Sequence, residues 1–313
     1  MGWLTGYGHR KSVTITGQTG AGTLYQVDLS IAETAGGDFT LDSHALSFPN
    51  DIRFTGNDET TELDYWIEDL TVDPITAWVE VADSLESNVD IYCYYGKSGD
   101  STTSDGDNTF LFFDHFPGVA LDTTTNWNVV DGSTSVADSI VKVITGTPSG
   151  WIRSKATFPV NTRFRGRMYY VANTAWCAWG VDNADNYGTL FYPHHPVSNV
   201  LNAVNRNPYP TQTTANLGNV GHGAYNIFEI RRNSTISAIY LLNDTSVATL
   251  TTNVPTGSCS VRLFGQSQDL YSDWVFVSKY ASPEPAFSSA GAEENVPTAI
   301  PVFMHHYSNM RET

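Results

Sequence analysis

Three arginines at alternate positions, Arg163, Arg165 and Arg167, are the first residues whose type and spacing suggest chemistry. In an extended strand all three guanidinium groups project from one face, while Phe164, Met168 and Tyr170 fill the other. Such a stripe clamps the carboxylates of an acidic glycan or of a neighbouring subunit, or it is a solvated face paired across a sheet with Asp and Glu. A second concentration runs from Trp176 to Tyr209 and includes Phe191 and His195. Sugar recognition needs rings for CH faces and polar groups for hydroxyls, which makes Trp176, Trp179, Tyr187, Tyr192, His194, Arg206 and Tyr209 candidate glycan contacts. Strand alternation sends about half of these rings into a core instead. The pairs His194-His195 and His305-His306 point opposite ways if extended, so neither pair alone chelates a metal. No Gly-x-Ser-x-Gly nucleophile motif and no His-Glu-x-x-His zinc motif occurs.

The last stretch offers a different chemistry. Val302, Phe303, Met304, Tyr307 and Met310 form an apolar display that is costly on a lone monomer, since burying each large side chain is worth ~1.5–3 kcal/mol. Docking on another subunit and packing back on the chain's own domain are the two ways to bury it.

The elements that must position these groups read as strands. The chain has 313 residues, 41% hydrophobic, enough for two domains with their own cores. Only 16% are charged, against ~25% in an average soluble protein. Sixteen Lys and Arg oppose 33 Asp and Glu for a net charge of -17, which repels phosphate backbones and sets nucleic-acid binding aside. Period-two alternation dominates: Tyr25, Val27, Leu29 and Ile31 share one face, as do Val89, Ile91, Cys93 and Tyr95. The likeliest helix by pattern is a short one near 35–45, although it contains Gly36 and Gly37. Residues 98–108 have nothing apolar to bury and read as a linker between a sandwich at 1–97 and a jelly roll at 109–285, with an extended arm at 286–313. Cys93, Cys177 and Cys259 are too scattered for a disulfide framework and read as small buried hydrophobes. No stretch approaches the ~18 apolar residues of a membrane span, and no secretory leader is expected from the first ten residues. Gly6 in place of Ser or Thr also argues against myristoylation at Gly2.

Particular residues then carry a resemblance. Gly2-Trp3-Leu4, Tyr7, Arg10-Lys11, Val13-Thr-Ile, Asp51-Ile-Arg-Phe-Thr, Leu63-Asp-Tyr-Trp-Ile-Glu, Ala77-Trp-Val-Glu-Val and Ile91-Tyr-Cys-Tyr-Tyr-Gly resemble a family of uncharacterised β-sandwich domains of archaeal, bacterial and viral surface proteins. The junction Asp105-Gly-Asp-Asn-Thr-Phe110, the opening Phe112-Phe-Asp-His-Phe116 and the segments Asp273-Trp-Val-Phe-Val-Ser-Lys-Tyr280 and Ser282-Pro-Glu-Pro285 resemble a concanavalin A-like, laminin-G-like jelly roll. His115 stands where a second Asp is usual. The resemblance implies an all-β chain of two antiparallel sandwiches, and a structural calcium ion at Asp114 and Asp273 where the terminal strands meet. It also implies a test for glycoside hydrolysis, whose paired carboxylates alternate along one strand; no Glu-x-Asp-x-Glu or Glu-x-Asp-x-x-Glu occurs in 109–285.

The leading expectation is therefore a non-enzymatic virion structural and adhesion protein: a head decoration, fibre or tail-associated subunit at the virion surface, homo-oligomeric, with a jelly roll facing a host-surface glycan. Its partner contacts would be Arg163, Arg165, Arg167, Phe303, Met304, Tyr307 and Met310. It predicts no nucleic-acid partner, no membrane insertion and no cofactor beyond calcium. The alternative is a prokaryotic, extracellular or cell-surface protein that binds or cleaves carbohydrate.

Overall fold

The computed structural model describes residues 2–144, 150–173, 176–183, 187–193, 199–233, 237–266 and 268–297. It is nearly all β, with one short helix, Gly106–Thr109, among the described residues. In the N-terminal sandwich the strands Phe39–Thr40, Tyr25–Ala32, Ile75–Val81 and Tyr65–Ile67 lie side by side in that order. Facing them is a sheet built on His9–Thr16, Val89–Tyr95 and Arg53–Thr55. Val13, Ile15, Val27, Leu29, Ile31, Val79, Ile91 and Cys93 meet between the layers, as their alternation requires.

The second sandwich has two larger sheets. The seven-stranded one runs in the order Gln212–Gly218, Leu201–Arg206, Gly188–Pro193, Cys177–Asp182, Ser260–Gly265, Gly150–Ser154, Trp127–Asp131. In the eight-stranded one, Leu270–Lys279, Thr162–Tyr169 and Asn226–Asn233 are central neighbours. Phe164, Met168, Trp179, Val181, Phe191, Phe228, Ile230, Val261 and Leu263 fill the space between the sheets. Each sheet consequently turns its alternate residues outward.

Residues 286–297 are not a free arm. Ala286–Ala290 and Glu294–Asn295 both pair antiparallel with His9–Thr16, so the chain completes its first sheet with its last described residues. The apolar tail beyond, with Phe303, Met304, Tyr307 and Met310, lies outside the described residues. Nor is 98–108 a slack linker. Asp105 caps the short helix by accepting from the backbone N–H of Asp107 and Asn108, and Ser104 accepts from the Ile67 N–H. The helical reading of 35–45 gives way to turns around Phe39–Thr40. Gly37 there has φ +65°, and a Cβ on it would come within 2.6 Å of the Ser30 carbonyl oxygen. All three cysteines are buried and unpaired. No described helix is long and apolar enough to cross a membrane.

The two sandwiches are joined by six rings. Trp66 and Trp78 of the first, Phe110 and Phe113 of the connection, and Trp274 and Phe276 of the second make one buried cluster. Phe110 and Phe276 stack with centroids 4.0 Å apart, and Trp66 meets Trp274 edge-on at 5.2 Å. Each buried ring is worth ~1.5–3 kcal/mol, whereas buried ion pairs lose much of their attraction to desolvation, so the rings hold the domains together and the charges set how they align.

Candidate functional site

The outer face of the eight-stranded sheet is where the sequence put its basic stripe. Thr162–Tyr169 presents Arg163 and Arg165 outward, but both are buried beneath the N-terminal sandwich. Arg165 Nε lies 2.9 Å from Glu68 Oε1 of that sandwich, and its Nη1 reaches Glu229 at 2.8 Å and Asp244 at 2.6 Å. Arg163 pairs with Glu229 at 3.0 Å and with Glu284, and its guanidinium lies 4.8 Å from the Trp78 ring centre. Arg231 joins Glu229 and Glu284. Burial alone would raise the Glu229 carboxyl; the guanidinium groups of Arg163, Arg165 and Arg231 instead hold it down at about 2. The stripe thus clamps carboxylates of its own chain. Arg167, half exposed, pairs with Asp273 beside Tyr225.

The outer face of the seven-stranded sheet is different in kind. Alternation turns Trp151 and Arg153, Arg262 and Phe264, Ala178 and Asp182, Tyr192, and Asn202, Val204 and Arg206 away from the core. Register places Trp151 opposite Phe264 and Arg153 opposite Arg262. Tyr192 faces Asn202, and Asn202 faces Asn216. Gly180 lies opposite Arg262, and Gly188 lies between Asp182 and Arg206, so no side chain stands between that carboxylate and Arg206 in the register. Glycine is obligatory at 180, where φ is +139° and a Cβ would sit 2.5 Å from the Thr189 carbonyl oxygen.

Each arginine on this face is stacked on aromatic rings. Arg262 lies 4.5 Å from the Trp151 ring centre and 4.8 Å from Phe264; Arg153 lies 4.7 Å from Trp151; Arg206 lies 4.9 Å from Tyr192 and 5.6 Å from Tyr209. A guanidinium laid on a ring keeps its N–H edges in plane and open to an acceptor. Among the described residues, Asp182 alone lies within ion-pair distance of the three, at 2.9 Å from Arg153 and 2.5 Å from Arg262. The Nε atoms of Arg206 and Arg262 are buried without a hydrogen-bond partner among the described residues. Burial, reinforced by the charge of Arg206 and opposed by Asp182, holds Arg262 below the ordinary arginine value.

Of the seven candidate glycan contacts, the structure brings Tyr192, Arg206 and Tyr209 together, with Trp176 edge-on to Tyr192 at 6.4 Å. Trp176 and Tyr209 are exposed. Trp179 is corrected: it is fully buried between the sheets against Tyr170, Phe191 and Phe228, because position 179 falls on the inward phase of its strand. Tyr187 directly precedes the strand Gly188–Pro193, and His194 lies outside the described residues. Sequence reasoning missed Trp151, Arg153, Asp182, Arg262 and Phe264. Their signal was there as alternation, Trp151-x-Arg153 and Arg262-x-Phe264, but the strands that carry them meet only through pairing across more than 100 residues.

A third feature is a cleft of about 720 Å³ between the domains, walled by Trp66, Phe113 and Trp274. Its carboxylates are mostly engaged: Glu68 by Trp78 Nε1 at 2.8 Å and Arg165, Asp69 by Thr71, Asp105 by the helix N–H groups, and Asp273 by Arg167. Asp107 remains, its carboxyl raised by burial and by Asp105 and Asp114, with His115 opposing. The two residues expected to hold calcium have partners within the chain. Asp114 accepts from Phe116 N–H at 2.6 Å and Trp127 Nε1 at 2.6 Å, while Asp273 is held by Arg167. The described residues that could share a metal ion are His9, His44 and Glu293.

A profile of the family described as Domain of unknown function (DUF2341) matches residues 49–130, a span that straddles both sandwiches and includes Trp66, Trp78, Phe110 and Phe113. No curated protein matches the chain. Solved structures that match the jelly roll include a glycosyl hydrolase family protein from Mycobacterium fortuitum, 12% identical, TM-score 0.45, covering 54% of this chain and 99% of that one. They also include a beta-1,3-glucanase from Mycobacterium marinum, 14% identical, TM-score 0.44, covering 54% and 98%. A third is Rv0315, described as an immunostimulatory antigen and pseudo beta-1,3-glucanase, from Mycobacterium tuberculosis, 14% identical, TM-score 0.44, covering 55% and 99%. These findings correct two expectations. The expectation of a non-enzymatic virion protein is withdrawn: the structures just given are a glycosyl hydrolase family protein, a beta-1,3-glucanase and a pseudo beta-1,3-glucanase. The exclusion of enzymes is withdrawn with it.

Proposed function

We propose that the chain is a cell-surface protein of the carbohydrate-binding or glycan-cleaving class, and that its jelly roll holds an anionic glycan on the outer face of the seven-stranded sheet. The observation that carries this reading is the imbalance on that face: Arg153, Arg206 and Arg262 stacked on Trp151, Tyr192, Tyr209 and Phe264, with Asp182 the one described carboxylate in ion-pair reach. A uronate carboxylate or a sulfate would supply an acceptor for the Nε atoms of Arg206 and Arg262, which have none among the described residues, and the exposed Trp176 and Tyr209 rings at the margin offer surfaces for sugar CH groups. In a protein of net charge -17, an anion is drawn here by local geometry and not by the overall field. The test is an array of sulfated, uronate-bearing and neutral oligosaccharides. Retention of the charged members alone supports the reading, and equal retention of neutral glucans contradicts it.

A second reading, cleavage in the interdomain cleft, is favoured by Asp107, an exposed carboxyl lining that cleft whose proton is held more tightly through partial desolvation and the nearby Asp105 and Asp114, the direction a general acid requires. If the chain releases reducing ends from a glycan it binds, Asp107→Asn should lower that rate by about a hundredfold or more while binding persists. An unchanged rate removes Asp107 from the chemistry.

A further inference from the structure

The N-terminal sandwich contains a cluster that neither the glycan face nor the cleft uses. His9 opens the first strand, His44 follows the short strand Phe39–Thr40, and Glu293 lies between the two strands that bring the end of the chain home. Their ligand atoms all fall within 4.8 Å of one another. Glu293 Oε2 is 2.7 Å from His44 Nδ1, and Oε1 is 3.3 Å from His9 Nδ1. The two imidazole rings are nearly parallel, 14° apart, with centroids at 4.6 Å, so both Nδ1 atoms approach the same carboxylate.

The surroundings fix these groups. The Tyr95 hydroxyl donates to Glu293 Oε2 at 3.0 Å, and the Tyr95 ring stacks on His9 at 5.8 Å. A Cβ on Gly96 would come within 2.7 Å of His9 Cδ2, so the chain approaches the ring as closely as a glycine allows. Asp42, the nearest other carboxylate on the His44 loop, is held by Lys11 at 2.8 Å and stays out of the cluster. The Nδ1 atom of His9 is buried, yet has no hydrogen-bond partner of good geometry. A polar atom so placed costs free energy unless something other than a hydrogen bond engages it.

We propose that His9, His44 and Glu293 form a divalent metal site of the zinc type, whose ion fastens the end of the chain to its beginning. Two imidazole nitrogens and one carboxylate oxygen are a donor set that zinc and its borderline neighbours accept, with Tyr95 orienting the carboxylate from behind. Side-chain rotations suffice to turn the three donor atoms from a hydrogen-bonded cluster into a coordination shell. The half-exposed His44 side leaves room for water as a further ligand. The site is structural by position: it lies where Ala286–Ala290 and Glu294–Asn295 zip onto His9–Thr16, and its ion would close a loop that spans both domains.

The test uses the full chain, stripped with a chelator and titrated with zinc, and with cobalt for its ligand-field spectrum. The proposal expects saturable uptake of one ion, a tetrahedral or five-coordinate cobalt spectrum, and thermal unfolding that rises with added zinc. In His44→Ala, which removes a half-exposed ring, affinity should fall more than about tenfold and the thermal response should vanish while the far-ultraviolet spectrum stays unchanged. Zinc uptake that is absent in the wild type, or equal in wild type and His44→Ala, overturns it. The same failure would leave the glycan reading untouched, since none of these residues lies on that face.

Discussion

The two outer faces of the jelly roll present arginines by the same strand alternation and use them oppositely. On the eight-stranded sheet Arg163, Arg165, Arg167 and Arg231 meet Glu68, Glu229, Glu284, Asp244 and Asp273, and the N-terminal sandwich closes over much of them. On the seven-stranded sheet Arg153 and Arg262 meet Asp182, while Arg206 has no ion pair among the described residues. The first face is a completed ion-pair network, and the second, among the described residues, leaves the Nε atoms of Arg206 and Arg262 without an acceptor. A basic stripe therefore says nothing of function until its carboxylates are counted in three dimensions.

The largest effect should come from disturbing the completed face. Glu229→Gln leaves Arg163, Arg165 and Arg231 without the buried negative charge they share and turns an NH2 donor toward them, and should lower stability by about 3–5 kcal/mol in denaturant unfolding. A loss below about 1 kcal/mol would mean that the rings alone align the domains. Acid should reproduce the effect more gently. The Glu229 carboxyl is depressed in the fold, from 4.5 to about 2, so its contribution is complete above about pH 4.5 and declines as pH falls toward 2. Thermal unfolding followed across that window should drop in the wild type and drop less in Glu229→Gln. The smaller stability change belongs to the other face, where Arg206→Ala removes no ion pair among the described residues but strips a buried guanidinium from Tyr192 and Tyr209, and should cost about 1–2 kcal/mol.

Much of this architecture was legible in the chain. Period-two patterning and turn residues give two sandwiches, because one buried face per strand forces alternation. Tyr192 and Arg206 were legible for the same reason, lying on one strand pair in near sequence. What stayed hidden depends on distant pairing. Glu68 neutralises Arg165 from 97 residues away, and Glu293 meets His44 from 249 residues away, so neither contact leaves a local spacing to read. Trp179 and Tyr192 look alike as aromatic residues; only strand phase tells the core ring from the surface ring. Segment 286–297 read as part of an arm because Pro283, Pro285, Pro297 and Pro301 break up the end of the chain, yet the unpaired edge of His9–Thr16 supplied the template.

The most direct test is calorimetric titration of the wild type and Arg206→Ala with a uronate-bearing or sulfated oligosaccharide and its neutral counterpart, at low and high salt. The structure predicts that the wild type binds the charged sugar, that salt weakens this binding, and that Arg206→Ala loses about tenfold or more while remaining folded. Equal affinity for the neutral sugar, or an Arg206→Ala variant that binds as tightly as the wild type, would contradict it.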